Sequence, residues 1–84
     1  MIGYKNFRGQ ILFVDSGMGG NNFMTCIKKS NGGVRRFVSK LLPVRSDREH
    51  AEDDLRKYAQ IAKMRKVELP DDYRTNRNYV GVAK

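Results

Sequence analysis

Cysteine, histidine and tryptophan are almost absent from this chain of 84 residues, which has one cysteine, one histidine and no tryptophan. A lone cysteine, Cys26, cannot form a disulfide within the chain, and a single histidine, His50, excludes the usual ligand sets for zinc. Long apolar runs are also missing, since the longest is Ile11 to Val14 and a membrane-spanning helix requires ~20 residues. Lys5 and Arg8 interrupt any signal-peptide core. We therefore expect a cytoplasmic protein without a metal, a cofactor or a membrane partner.

Residues that could carry catalysis are sparse as well. His50 falls in the first turn of a predicted helix, where a solvated side chain is the usual case. Asp53 and Asp54 are neighbours on the same helix and do not face one another, so they make a poor carboxylate pair. The glycine-rich stretch 16–22 is not followed by a helix start, as a phosphate-binding loop would require. No catalytic residue is predicted, and we expect a binding protein rather than an enzyme.

The positive charge is unevenly distributed. The chain has a net charge of +8. Residues 1–45 hold eight basic side chains and a single acidic one, Asp15, whereas basic and acidic residues nearly balance in 46–84. Such asymmetry is typical of a protein with a polyanionic partner, usually nucleic acid, although many small proteins are basic only for solubility. Both interpretations stay open at this point.

The first half of the chain predicts three antiparallel strands. In residues 8–15, Gln10, Leu12 and Val14 alternate with Gly9, Ile11 and Phe13. The run is rich in β-branched and aromatic residues and predicts strand one. After the glycine-rich turn at 16–22, residues 23–29 predict strand two. Asn31-Gly32 is a strong hairpin signal, because both central residues of a type I′ turn need positive φ. Residues 34–41 then predict strand three, paired with strand two.

Alternation along strand three predicts which side chains face the solvent. With a period of two residues, Arg36 and Lys40 point outward, while Phe37 and Leu41 point toward the core. The strand contains no acidic residue. This predicts a basic outer face on the sheet.

An amphipathic helix follows the strands. Ser46 as N-cap and Glu49 three residues later form a predicted capping box. An apolar stripe then recurs at helical spacing. Its members are Ala51, Leu55, Tyr58, Ala59 and Ala62. The pattern predicts a helix that ends near Lys66 and packs across the sheet.

The remaining residues, 67–84, predict a C-terminal tail. Pro70 and the neighbouring aspartates and asparagines break any period. The segments 73–74 and 77–79 interleave aromatic and basic residues, which suits nucleic-acid contact, but a short strand or a disordered end is the more common outcome. We expect one α+β domain at 1–66, a three-stranded antiparallel sheet packed on a C-terminal helix, and an extended or disordered tail at 67–84.

This arrangement resembles the ethylene-response-factor type of plant DNA-binding domain and the arm-binding N-terminal domains of phage integrases. The resemblance covers about Tyr4 to Lys63. It is most similar at 46–51, with Leu55, Tyr58 and Ala59, where those families show a hydroxyl cap, acidic residues, alanines and an aromatic residue. In them the sheet enters the major groove and basic residues on its outer face bind the DNA. By position, the resemblance implies that this role falls to Arg36 and Lys40, then to Lys28, Lys29 and Arg35. Arg45 lies close in sequence to the end of strand three, and we expect it to contribute to the same contact surface.

Two functions from different classes follow from the sequence. The first is a small basic accessory or regulatory protein, of the kind that phages and other mobile elements encode, which binds duplex DNA through the outer face of its sheet. The second is a protein-binding inhibitor or adaptor that uses the glycine-rich loop and the tail as adaptable contacts. Binding of mixed-sequence DNA that weakens with salt would distinguish them.

Overall fold

The structure is a computed structural model that describes residues 1–28 and 32–73. Within this part of the chain, a single α-helix packs on an antiparallel sheet of five strands in the order β4-β3-β2-β1-β5. The elements are β1 (Ile2–Lys5), β2 (Ile11–Ser16), β3 (Phe23–Lys28), β4 (Val34–Arg36), α1 (Arg48–Ile61) and β5 (Arg65–Glu68), with a short 3-10 turn at Met18–Gly20. The predicted α+β class is confirmed, whereas the predicted count of three strands is wrong.

Strands β1 and β5 are the two that the sequence patterns missed. β1 lies between β2 and β5, and its Gly3 is paired with Phe13 on one side and Val67 on the other. β5 is an edge strand of sequence Arg-Lys-Val-Glu, and charged residues of this kind discourage further strand pairing at an edge. Each strand has only four residues. Neither gives an alternating pattern long enough to stand out.

Helix α1 is shorter than predicted and is not the last element. Asp47 rather than Ser46 is its N-cap, and the Asp47 carboxylate accepts a hydrogen bond from the backbone N–H of Glu49 at 3.0 Å. The helix ends at Ile61, and Lys63 then adopts a left-handed φ of 56° that turns the chain into β5. The predicted continuation to Lys66 is therefore wrong. The predicted apolar stripe is correct at its centre, where Ala51, Leu55 and Ala59 are buried.

The third predicted strand is also shorter than expected. β4 ends at Arg36, and directly after it the Phe37 N–H donates a hydrogen bond to the Thr25 carbonyl of β3 at 2.9 Å. A turn follows, in which Leu41 is 55% exposed and Leu42 is buried. The prediction that Leu41 points into the core is wrong, because the turn shifts the alternation by one residue.

The first core lies between the sheet and α1. It consists of Leu12, Val14, Ile27, Leu42, Ala51 and Leu55. Phe37 packs against this cluster as predicted, with its ring centroid 5.9 Å from that of Tyr58. Among the described residues, no helix is both long and apolar enough to cross a membrane.

A second core covers the opposite face of the sheet. It consists of Ile11, Phe13, Cys26, Leu69 and Tyr73. The Tyr73 ring meets Phe13 edge to face at 5.1 Å, and the Leu69 N–H donates to the Met1 carbonyl at 2.8 Å. The predicted boundary at residue 66 therefore falls inside β5, and residues 67–73 belong to the fold. Residues 74–84 lie outside the described part of the chain.

Candidate nucleic-acid interface

The strand register assigns each charged strand residue to one face of the sheet. Residues directly opposite one another on paired antiparallel strands share a face, and successive residues alternate. Lys5 is opposite both Ile11 and Arg65, and Arg36 is opposite Cys26. Since Ile11 and Cys26 belong to the second core, these cations lie on the face away from α1. The basic residues that the described strands place there are Lys5, Lys28, Arg36 and Arg65.

Helix α1, on the other side of the sheet, is slightly acidic. Helix α1 carries four carboxylates and three basic side chains, although the whole chain has a net charge of +8. Arg56 and Lys57 both contact the Asp53 carboxylate, and the hydrogen bonds from these two cations lower the pKa of Asp53. The helix therefore neutralises its own positive charges. The face of the sheet away from α1 would therefore repel a polyanion less than the helix would.

An open cleft of about 300 Å³ lies on the helix side. It is lined by Ile2, Tyr4, Glu49, Glu52, Asp53, Arg56 and Lys66. Its three carboxylates disfavour an anionic ligand. Nowhere among residues 1–28 and 32–73 do three or more histidine, cysteine, aspartate or glutamate side chains form a group that could hold a metal ion.

Four of the six predicted contact residues are exposed. These are Arg35, Arg36, Lys40 and Arg45. Arg35 is paired with Ile27 of the first core and Arg36 with Cys26 of the second, so the two arginines point to opposite faces. Lys40 lies in the turn after β4. The prediction that Arg36 and Lys40 share a strand face is therefore wrong, because the strand ends before Lys40.

Lys28, also a predicted contact residue, is buried. Only 7% of it is exposed, and its ammonium group lies 4.1 Å from the centroid of the Tyr73 ring. The same group donates a 2.6 Å hydrogen bond to the Tyr73 carbonyl. Burial lowers the pKa of Lys28, and the nearby Asp72 carboxylate partly offsets this effect. Lys28 thus holds the 69–73 segment on the sheet and is not available to a partner in this structure.

Arg45, another predicted contact residue, is bound within the protein. Its guanidinium donates to both carboxylate oxygens of Asp54, at 2.7 and 3.2 Å, and these hydrogen bonds raise the pKa of Arg45. The backbone of Arg45 also pairs with Phe23 in both directions. Arg45 therefore joins the segment before α1 to the helix and to β3. Lys29, the sixth residue, lies outside the described residues.

The sequence patterns missed the basic residues on β1 and β5 and the turn that precedes β2. That turn runs from Asn6 to Gln10, within the range where strand one was predicted to start. Its signal was available, because asparagine followed three residues later by glycine, here Gly9, is typical of a type I turn. The turn exposes Phe7 almost completely, at 95%. Arg8 lies beside it, with its guanidinium carbon 5.8 Å from the ring centroid.

Comparison with protein-family models, with curated proteins and with solved structures gives no match for this chain. The resemblance to the ethylene-response-factor and integrase domains therefore stays a prediction. The order of elements also differs from it, because the helix is followed by β5 and by the segment 69–73.

Proposed function

We propose that this protein is a non-enzymatic, duplex-DNA-binding protein that uses the sheet face opposite the helix. We call this surface the cationic face and define it by Lys5, Arg36 and Arg65, with Arg8 at its rim. The observation that carries the proposal is the placement of basic side chains on one face of the sheet. Three strands present basic side chains on the cationic face, which also holds Asp15 of β2 and, near Lys28, Asp72, while the four carboxylates of α1 lie on the other side of the sheet.

The dimensions of the cationic face fit a duplex. Arg36 is on the edge strand β4 and Arg65 on the opposite edge strand β5. Four strand spacings separate them, which is about 19 Å at ~4.8 Å per spacing. This exceeds the ~12 Å width of the major groove, so the two arginines can reach phosphates on both sides of that groove.

The centre of the cationic face indicates how the DNA would be contacted. Leu69 and Tyr73 cover the middle of the sheet, so the strands themselves cannot enter a groove as they do in the families named above. The basic side chains form a rim around this apolar centre. Contacts from a rim of this kind go mainly to the phosphate backbone, which positions a protein on DNA without reading the sequence. We therefore propose binding with weak sequence preference.

Fluorescence anisotropy with a labelled mixed-sequence duplex, measured at several salt concentrations, tests this proposal. Arg36→Ala and Arg65→Ala should each weaken binding and reduce the slope of log affinity against log salt by about 0.9, the value for one lost phosphate contact. Lys57→Ala is the matched control, because it removes the same charge from the helix side. It should leave the slope unchanged. An absence of binding at micromolar protein in low salt would rule out the proposal.

A protein partner is the second candidate, and one observation favours it. The segment between β4 and α1 exposes three apolar side chains, Val38, Leu41 and Val44, which are 76%, 55% and 38% exposed. Neighbouring exposed apolar groups often mark a protein-binding surface. A variant with Val38→Ser and Leu41→Ser separates the two functions. If DNA is the partner, this variant should bind DNA as the wild type does. If a protein is the partner, the variant should fail to retain the protein that copurifies with the wild type.

A further inference from the structure

Phe7 is the most exposed large apolar side chain among the described residues, at 95%. It lies at the tip of the hairpin that joins β1 to β2. A phenylalanine that contacts almost nothing contributes little to folding, and its exposure is unfavourable in water. Single exposed apolar residues are common, so exposure alone does not indicate a role. A role for Phe7 is indicated instead by the ordered turn that holds it and by the charges around that turn.

The tip is held in one conformation by the Asn6 side chain. The Asn6 Oδ1 atom accepts hydrogen bonds from the backbone N–H groups of Arg8 and Gln10, both at 2.9 Å. Asn6 Nδ2 donates to the Gln10 side chain at 3.0 Å. The Asn6 and Gly9 backbones close the turn with bonds of 2.9 and 3.0 Å, and Gly9 has a φ of 83° that favours glycine. Phe7 is therefore presented on an ordered turn and would lose little conformational entropy on binding.

The charges around the tip indicate an anionic partner. Arg8 is next to Phe7 in the turn, with its guanidinium carbon 5.8 Å from the ring centroid. Immediately below the tip, Lys5 and Arg65 are directly opposite each other on paired strands. Together with Arg8, these two residues place three positive charges near the tip. Ile61, another strongly exposed apolar residue, lies on α1 on the other side of the sheet.

We propose that Phe7 is a wedge that enters between neighbouring base pairs of DNA held on the cationic face. Apolar side chains inserted in this way partly unstack a base step and kink the duplex. Arg8 and Lys5 would bind the phosphates on either side of the opened step. This inference rests on the proposed function and adds the mode of binding to it. A base stacks on Phe7 in the opened step, and easily unstacked steps such as TA are preferred.

The experiment uses the full chain and a duplex that carries 2-aminopurine at a central TA step. Wild-type protein should increase the 2-aminopurine fluorescence, because unstacking relieves its quenching. Phe7→Ala should abolish this increase and weaken binding about 5- to 100-fold, the range for loss of one base–aromatic stack. Its salt slope should equal that of the wild type. Phe7→Leu should keep part of the fluorescence increase, because aliphatic side chains also act as wedges.

Two controls make the result specific. Ile61→Ala removes a side chain that is 72% exposed on the helix and should change neither affinity nor fluorescence. Arg8→Ala should reduce the salt slope by about one phosphate contact. Circular dichroism should show all variants folded, since none of the three side chains is buried.

The outcomes separate the two proposals. If the wild type binds no duplex, both the proposed function and the wedge are overturned. If the wild type binds but Phe7→Ala equals it in affinity and fluorescence, only the wedge is overturned. Binding to phosphatidylserine vesicles that depends on Phe7, without a fluorescence increase on DNA, would assign the tip to an anionic membrane surface instead and also overturn the wedge.

Discussion

The two faces of the sheet are covered by very different pieces of chain. On one face, α1 buries Ala51, Leu55 and Ala59 in a regular row along the helix. On the other, the segment 69–73 buries Leu69 and Tyr73, whose spacing follows no period. The helix brings four carboxylates with it, whereas the segment brings Asp71 and Asp72 but leaves Arg36 and Arg65 exposed at the edges of the sheet. The proposed function depends on the segment 69–73, because this short segment leaves room on its face of the sheet for a partner.

Removal of the residues after Lys66, which include the segment 69–73, should have the largest effect on stability. A chain that ends at Lys66 loses half of β5 together with Leu69 and Tyr73, and therefore most of what covers Ile11 and Phe13. For a domain of this size, with a free energy of unfolding near the low end of ~5–15 kcal/mol, we expect loss of the folded state. The measurement is the dispersion of the amide NMR spectrum. A chain that ends at Tyr73 is the control and should remain dispersed, and retained dispersion in the shorter chain would show that α1 alone stabilises the sheet.

Leu55→Ala tests the packing of α1 on the sheet. Leu55 is 1% exposed in the first core. Its truncation should lower the free energy of unfolding by about 2–5 kcal/mol through lost burial and a residual cavity. Urea denaturation measures the change. Ile61→Ala, on the exposed side of the same helix, should stay within about 0.5 kcal/mol of the wild type. A loss for Leu55→Ala as small as that of the control would mean that the helix packs on another side.

Gly3→Ala tests how closely the segment 69–73 approaches the sheet. A Cβ atom at this position would lie 2.5 Å from Leu69 Cδ1 and 3.0 Å from the Leu12 carbonyl oxygen. We expect a destabilisation of about 1–3 kcal/mol by overpacking. Addition of Leu69→Ala should relieve part of the clash, so the double variant should be less destabilised than the two single variants predict together. Strict additivity in urea denaturation would contradict this close approach.

The smallest expected effect concerns Lys28 and pH. Burial lowers the pKa of Lys28 in the folded state below its ordinary value of 10.5. Between these two pKa values the unfolded chain binds the proton and the folded chain does not, so stability should rise with pH in that window. Lys28→Met keeps the side-chain stem but cannot titrate. The stability of the wild type relative to this variant, measured in urea from pH 8 to 10.5, should therefore increase, and a decrease would mean that the folded state favours the ammonium.

The sequence predicted the parts of the fold that have local signals. The alternation around Ile11 to Val14 and the stripe through Leu55 each span several residues of one element, so β2 and α1 were recognised. β1 and β5 were missed because each has only four residues, and β5 is fixed only by pairing with the distant β1. The second core was missed for a similar reason, since Tyr73 reaches Phe13 only after the chain has crossed the whole sheet.

The candidate site was less predictable than the fold. Charge composition indicated a polyanion, but it could not show that Lys28 is buried under Tyr73 or that Arg45 is bound to Asp54. Both facts depend on tertiary contacts. Arg65 was placed in the helix and its partner Lys5 had no assigned element, so the cationic face could not be assembled from the sequence. Phe7 was overlooked because residues 8–10, the second half of the turn that presents it, were included in strand one.

The pairing of β1 with β5 has a consequence for how the protein is made. Ile2 leaves the ribosome long before its partner Glu68, which is among the last of the described residues to follow. Contacts between residues so distant in sequence form slowly, because a long loop must close before they are gained. Until Tyr73 has emerged, a nascent chain that has already formed β1 to β4 and α1 exposes Ile11 and Phe13 and leaves one edge of β1 unpaired. Such an intermediate is prone to aggregation, and a ribosome that pauses before residue 73 would prolong its lifetime.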